Sequence, residues 1–85
     1  MKHIMIDCAA LSDRAALHRM MALELEFPEW YGSNLDALYD CLTDLDMHVV
    51  LTLRGLDAHG EYGRAFRETL EDAARENPML NFEFI

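Results

Sequence analysis

The chain has 85 residues, 52% of them apolar and 27% charged, enough for one folded core and little room for a second, so residues 1–85 are expected to form a single domain. Sixteen acids against seven bases give a formal net charge of −9, which argues against direct binding of a nucleic-acid backbone and against an anionic membrane surface. No apolar run approaches the ~20 residues of a membrane span. The opening Met1-Lys2-His3-Ile4 lacks a signal peptide's apolar region, and Cys8 and Cys41 lack C-x-x-C spacing; a cytoplasmic protein is expected.

His3 to Ile6 is a short apolar run that predicts a buried strand. From Ser12 the period changes: Leu17, Met20, Met21 and Leu25 recur at helical spacing, Ser12 or Asp13 is placed to cap, and Phe27-Pro28 ends the helix. After a turn at Gly32, Leu35, Leu38, Leu42 and Leu45 mark a second helix. Val49 to Leu53 is β-branched and apolar, which predicts a central strand covered on both faces. Gly55 to Gly60 reads as a loop, and Tyr62, Ala65, Phe66, Thr69, Leu70 and Ala73 form the stripe of a further helix closed by Asn77-Pro78. Leu80 to Phe84 alternates as a strand with one face less covered. The order β-α-α-β-α-β predicts an α/β fold, a three-stranded parallel sheet packed with three to four helices.

The acids are segregated. Between Arg19 and Arg54 there is no Lys or Arg, yet the segment holds Glu24, Glu26, Glu29, Asp36, Asp40, Asp44 and Asp46. On the second helix Asp36, Asp40 and Asp44 follow each other at i, i+4 steps opposite the leucine stripe, with Tyr39 on the flank. Like charges so placed cost roughly 0.2–0.5 kcal/mol per pair, and Asp44 also opposes the dipole at the helix C-terminus. Structural readings stand beside the functional one. Ser33-Asn34-Leu35-Asp36 matches a capping box, which would give Asp36 a backbone N–H to bind; Asp40 and Asp44 would then be a solvated face. Trp30 and Tyr31 fit a hydrophobic staple at the helix entry, but three aromatics, Trp30, Tyr31 and Tyr39, beside an unpaired acidic row also describe an interface patch.

Catalytic signatures are few. There is no H-x-x-x-H, G-x-S-x-G or phosphate-cradling glycine loop, and His3, His18, His48 and His59 are scattered, each reading as a packed or surface histidine. Cys41 reads as a small buried hydrophobe. The acids lack calcium-loop spacing, and no cofactor or metal is expected. Asp36 and Asp40 as an acid/base pair is the remaining enzymatic reading, and no enzyme is expected.

The run from Phe27 to Thr43, with Pro28-Glu29-Trp30-Tyr31-Gly32 and Asn34-Leu35-Asp36-Ala37-Leu38-Tyr39-Asp40-Cys41-Leu42 inside it, resembles the signature of the barstar family, intracellular protein inhibitors of the ribonuclease barnase. Element order and length agree over essentially the whole chain. The resemblance implies a three-stranded parallel sheet packed with helices, and inhibition of a basic ribonuclease or ribonuclease toxin by an acidic helix and preceding loop that stand in for RNA phosphates. Carried over residue by residue, it implies partner contacts at Trp30, Asn34, Asp36, Tyr39 and Asp40, at Leu45 in the place of an exposed tryptophan, and one on the last helix at Asp72, with Glu71 and Glu68 as alternatives; the aromatic patch and the acidic row add Tyr31 and Asp44 as candidate contacts. Leu45 replaces the family's exposed tryptophan, Tyr39 replaces the tryptophan between the two aspartates, and His48 replaces a proline entering the second strand. These departures mean that the target need not be barnase itself; they point to a related microbial ribonuclease or a polymorphic toxin with a basic cleft. The alternative is a barstar-like module that binds another basic protein without inhibiting a ribonuclease.

Overall fold

In the computed structural model, which describes residues 1–85, the three apolar segments pair as one parallel sheet. The strands β1 (Lys2–Asp7), β2 (Val49–Arg54) and β3 (Leu80–Phe84) lie in the order β1-β2-β3, with Lys2 opposite Val49 and Val49 opposite Leu80. Helices α1 (Arg14–Leu25) and α2 (Leu35–Thr43) fill the first crossover and α3 (Gly60–Glu76) the second. This is the β-α-α-β-α-β order expected, with three α-helices and short 3₁₀ turns at Cys8–Ala10 and Leu56–His59. No helix is long and apolar enough to cross a membrane.

Both crossovers step across the sheet in the same direction, so right-handed connections place all three helices on one side. Burial agrees: Ile4, Ile6, Val49, Leu51, Leu53 and Leu80 are buried, whereas the alternate residues His3, Met5, Asn81 and Glu83 are exposed. The expectation that β2 is covered on both faces is therefore corrected. Val50 and Thr52 are half-exposed on the open side, and β1 is likewise buried on one face only. Leu17 and Met21 of α1, Leu38 and Leu42 of α2, and Phe66 and Leu70 of α3 complete the core against the covered face. Burying each such side chain stabilises the fold by about 1.5–3 kcal/mol.

Helix ends also differ from the pattern. Asp13 caps α1, its carboxylate accepting the Ala16 N–H at 2.9 Å. The other end closes at Glu26, a left-handed residue (φ 56°), with Phe27 N–H reaching back to Ala22 O at 3.0 Å. That six-to-one bond stops the helix before Pro28 can. The Gly55–Gly60 stretch is a 3₁₀ turn leading directly into α3, and Gly55 is left-handed (φ 68°) where a Cβ would collide with that of Ala9. Leu45 falls outside α2, which ends at Thr43.

Candidate partner-binding site

The segment between α1 and α2 is shaped by its own backbone. Glu26 and Ser33 (φ 53°) take left-handed conformations near its two ends. Between them Tyr31 N–H donates to Pro28 O at 3.0 Å, which makes a turn with Glu29 and Trp30 at its centre. Phe27 and Tyr31 flank the turn, half-buried against the core, their rings 4.9 Å apart. Trp30 is thrown outward and is 72% exposed. Tyr31 thus packs inward ahead of the helix entry and Trp30 does not.

α2 is capped by Asn34, whose Oδ1 accepts the Ala37 N–H at 2.8 Å. The expected capping box starting at Ser33 is corrected: Ser33 is left-handed, and the cap falls one residue later. Asp36 becomes the second residue of the helix and hydrogen-bonds no backbone N–H. Its charge still complements the helix dipole there. Leu38, Cys41 and Leu42 face the core, while Asp36, Asp40 and Asp44 are exposed on the other side. The three salt bridges of the molecule are Lys2–Glu26, Arg67–Glu71 and Arg75–Asp72, so none of these three aspartates has a cationic partner.

The remaining candidates divide. Tyr39 and Leu45 are half-buried and pack against the core. Trp30, Asp44 and Leu45 meet along one shallow groove of about 300 Å³, floored by Phe27, Cys41 and Met47. On α3, Asp72 is exposed but bound to Arg75, Glu71 pairs with Arg67 at 3.8 Å, and Glu68 is exposed and unpaired. Cys41 is buried, and burial, followed by Asp44 and Asp40, pushes its thiol up, away from nucleophilic character.

Two supports were not legible as such. Asn77 is buried, and its Nδ2 donates to Leu42 O at 2.9 Å and Leu45 O at 3.0 Å, capping α2 from across the fold. His18 is wholly buried, with Nδ1 2.5 Å from the Tyr31 hydroxyl and Nε2 2.6 Å from that of Tyr62. Burial, and then Arg14, hold its pKa below the ordinary value, while burial raises that of the Tyr31 phenol. The available signal was spacing: His18 stands on the inward Met21–Leu25 stripe, and a polar residue there needs partners.

Known proteins resemble the chain over nearly its whole length. The model of the family described as Barstar (barnase inhibitor) matches residues 1–84. The chain is also similar to "Putative ribonuclease inhibitor YrdF" of Bacillus subtilis (strain 168), 35% identical over 81 residues, which cover 89% of each protein.

Proposed function

The chain belongs to the barstar family, and from that premise we propose that it is a stoichiometric inhibitor of a basic microbial ribonuclease or ribonuclease toxin, acting in the cytoplasm of the cell that makes it. The turn carrying Trp30 and the exposed face of α2 enter the enzyme's active-site cleft. There Asp36 and Asp40 meet the cations that otherwise hold RNA phosphates. Trp30 and Tyr39 supply the aromatic anchors, and Asp44 with Leu45 extends the contact along the groove. Asn34 orients the loop through the Ala37 N–H and Gly32 O and offers its remaining amide N–H to the partner; Asp72 adds a contact from α3. The protein binds and does not turn over substrate.

One observation carries this reading. A row of three exposed carboxylates without a cationic partner stands on a helix whose other face is wholly committed to the core. Such a row weakens the free helix and is compensated only when a basic surface covers it. Titrating a basic ribonuclease of the barnase class, and any ribonuclease toxin encoded beside this chain, with the purified protein tests the reading. Loss of RNA cleavage at one equivalent is expected. Complex formation with full cleavage retained would favour the binding module without inhibition, and turnover of any substrate would overturn the inhibitor reading.

A further inference from the structure

Three elements converge on one buried imidazole. His18 comes from α1, Tyr31 from the docking loop and Tyr62 from the first turns of α3, and both ring nitrogens of His18 are spent on the two hydroxyls. A neutral imidazole has one N–H and one lone pair, so one tyrosine accepts from it and the other donates to it. The rings seal the site: Tyr31, Tyr62 and Phe66 lie 5.7, 5.9 and 5.7 Å from the imidazole. Tyr31 in turn holds the turn whose centre is Trp30.

We propose that His18 and Tyr62 are positioning residues for the docking loop: the Tyr31–His18–Tyr62 bridge fixes Tyr31, and through it Trp30, in the conformation that binds, and protonation of His18 releases it. The inference rests on the reading of this loop as the inhibitory face. Protonation turns both ring nitrogens into donors, so the hydroxyl that had donated loses its acceptor. It also places a cation where nothing compensates it. The groups facing His18 are the Tyr31 hydroxyl from the loop, Tyr62 and Phe66 from α3, and Arg14 from α1. Arg14 carries a like charge and lies over the Tyr62 ring at 4.3 Å. Cys41 of α2, beside Tyr31, is a protonated thiol and offers no charge. Weakening the Tyr31 contact is the available relief, and the docking loop is the element that moves.

Amide hydrogen exchange of the free protein, corrected for intrinsic rates, is followed from pH 8 to pH 5 together with dissociation from the inhibited ribonuclease. In the parent, protection of the Tyr31 amide, the one loop N–H from 30 to 34 that is hydrogen-bonded, should fall as pH drops below 6.5 while β2 stays protected. Tyr62→Phe, which removes a hydroxyl that is not among the proposed partner contacts, should lower loop protection at pH 8 and speed dissociation by roughly three- to tenfold, the worth of one hydrogen bond. His18→Gln keeps a donor and an acceptor but cannot titrate; it should abolish the pH step while retaining loop protection at pH 8 better than His18→Ala. A pH step that persists in His18→Gln, or loop protection unchanged in Tyr62→Phe, would overturn the proposal. If the chain inhibits no ribonuclease, the exchange measurements alone still decide whether the bridge holds the loop, and the inhibitor reading falls separately.

Discussion

The side chain of Asn77, just beyond α3, closes the C-terminus of α2 through its contact with Leu42 O at 2.9 Å. Its carbonyl oxygen simultaneously accepts the Met79 N–H at 3.0 Å, so one amide ties the helix to the entry of β3. Asn77→Ala strands buried carbonyls at the helix end and should destabilise the fold by about 1–3 kcal/mol. Asn77→Asp should be worse, because it brings an anion to the negative end of the helix dipole. Denaturant midpoints of the two variants provide the check.

Asp40→Ala separates stability from binding. Asp40 is exposed, unpaired and one turn from both Asp36 and Asp44, so its removal relieves two like-charge contacts and inserts the best helix former. Stability should hold or rise by up to about 1 kcal/mol. Binding should fall by about 2–5 kcal/mol or more, since a cation of the enzyme is left buried without its partner. A variant that unfolds more easily yet inhibits equally well would assign Asp40 a structural role.

Association should be steered by charge. The segment from residue 20 to residue 53 contains no Lys or Arg, so its field is offset only by neighbours from elsewhere in the fold. Stopped-flow association rates with the target ribonuclease should fall steeply as ionic strength rises, because exposed charges are screened beyond about 10 Å at 0.1 M salt. A rate flat in salt would mean that another surface finds the enzyme.

Stability should fall in mild acid through His18. Its folded-state pKa is lowered, first by burial and then by Arg14, so between that value and the ordinary 6.5 the unfolded chain binds the proton more readily. The contribution is complete above pH 6.5 and is lost as the pH drops below it. Unfolding free energies measured from pH 8 to pH 5 should show this loss in the parent and a smaller one in His18→Gln.

The two thiols should be slow to react. Burial, with Asp7, pushes Cys8 to about 11, and burial also raises Cys41. At neutral pH both are protonated, so alkylation of the native protein should be slow and should reach two equivalents only on unfolding.

Strands, helices and the acidic row were legible because each rests on periodicity within one segment. Leu38 and Leu42 turn inward and Asp36, Asp40 and Asp44 outward, as spacing alone required. What spacing could not show was set by contacts across the chain. β2 lies at the sheet centre yet is fully covered on one face only, because both crossovers run on the same side, a property of topology and not of Val49 to Leu53. The shift of the cap from Ser33 to Asn34 turned on one left-handed backbone angle. His18 read only as a packed or surface histidine and Asn77 only as the close of the last helix, because their partners Tyr62 and Leu42 lie 44 and 35 positions away.

The register of the sheet also bears on how the chain folds. Lys2 meets Val49, so β1 and β2 pair only after the whole intervening stretch has been looped back, a closure whose entropy opposes rapid nucleation. The self-repelling acidic helix lies inside that loop. Bringing it onto the core concentrates uncompensated charge before any partner is present, and dissolved salt relieves this repulsion. Refolding should therefore quicken with ionic strength over the range in which capture of the ribonuclease slows, so that one set of carboxylates acts on the two timescales in opposite directions.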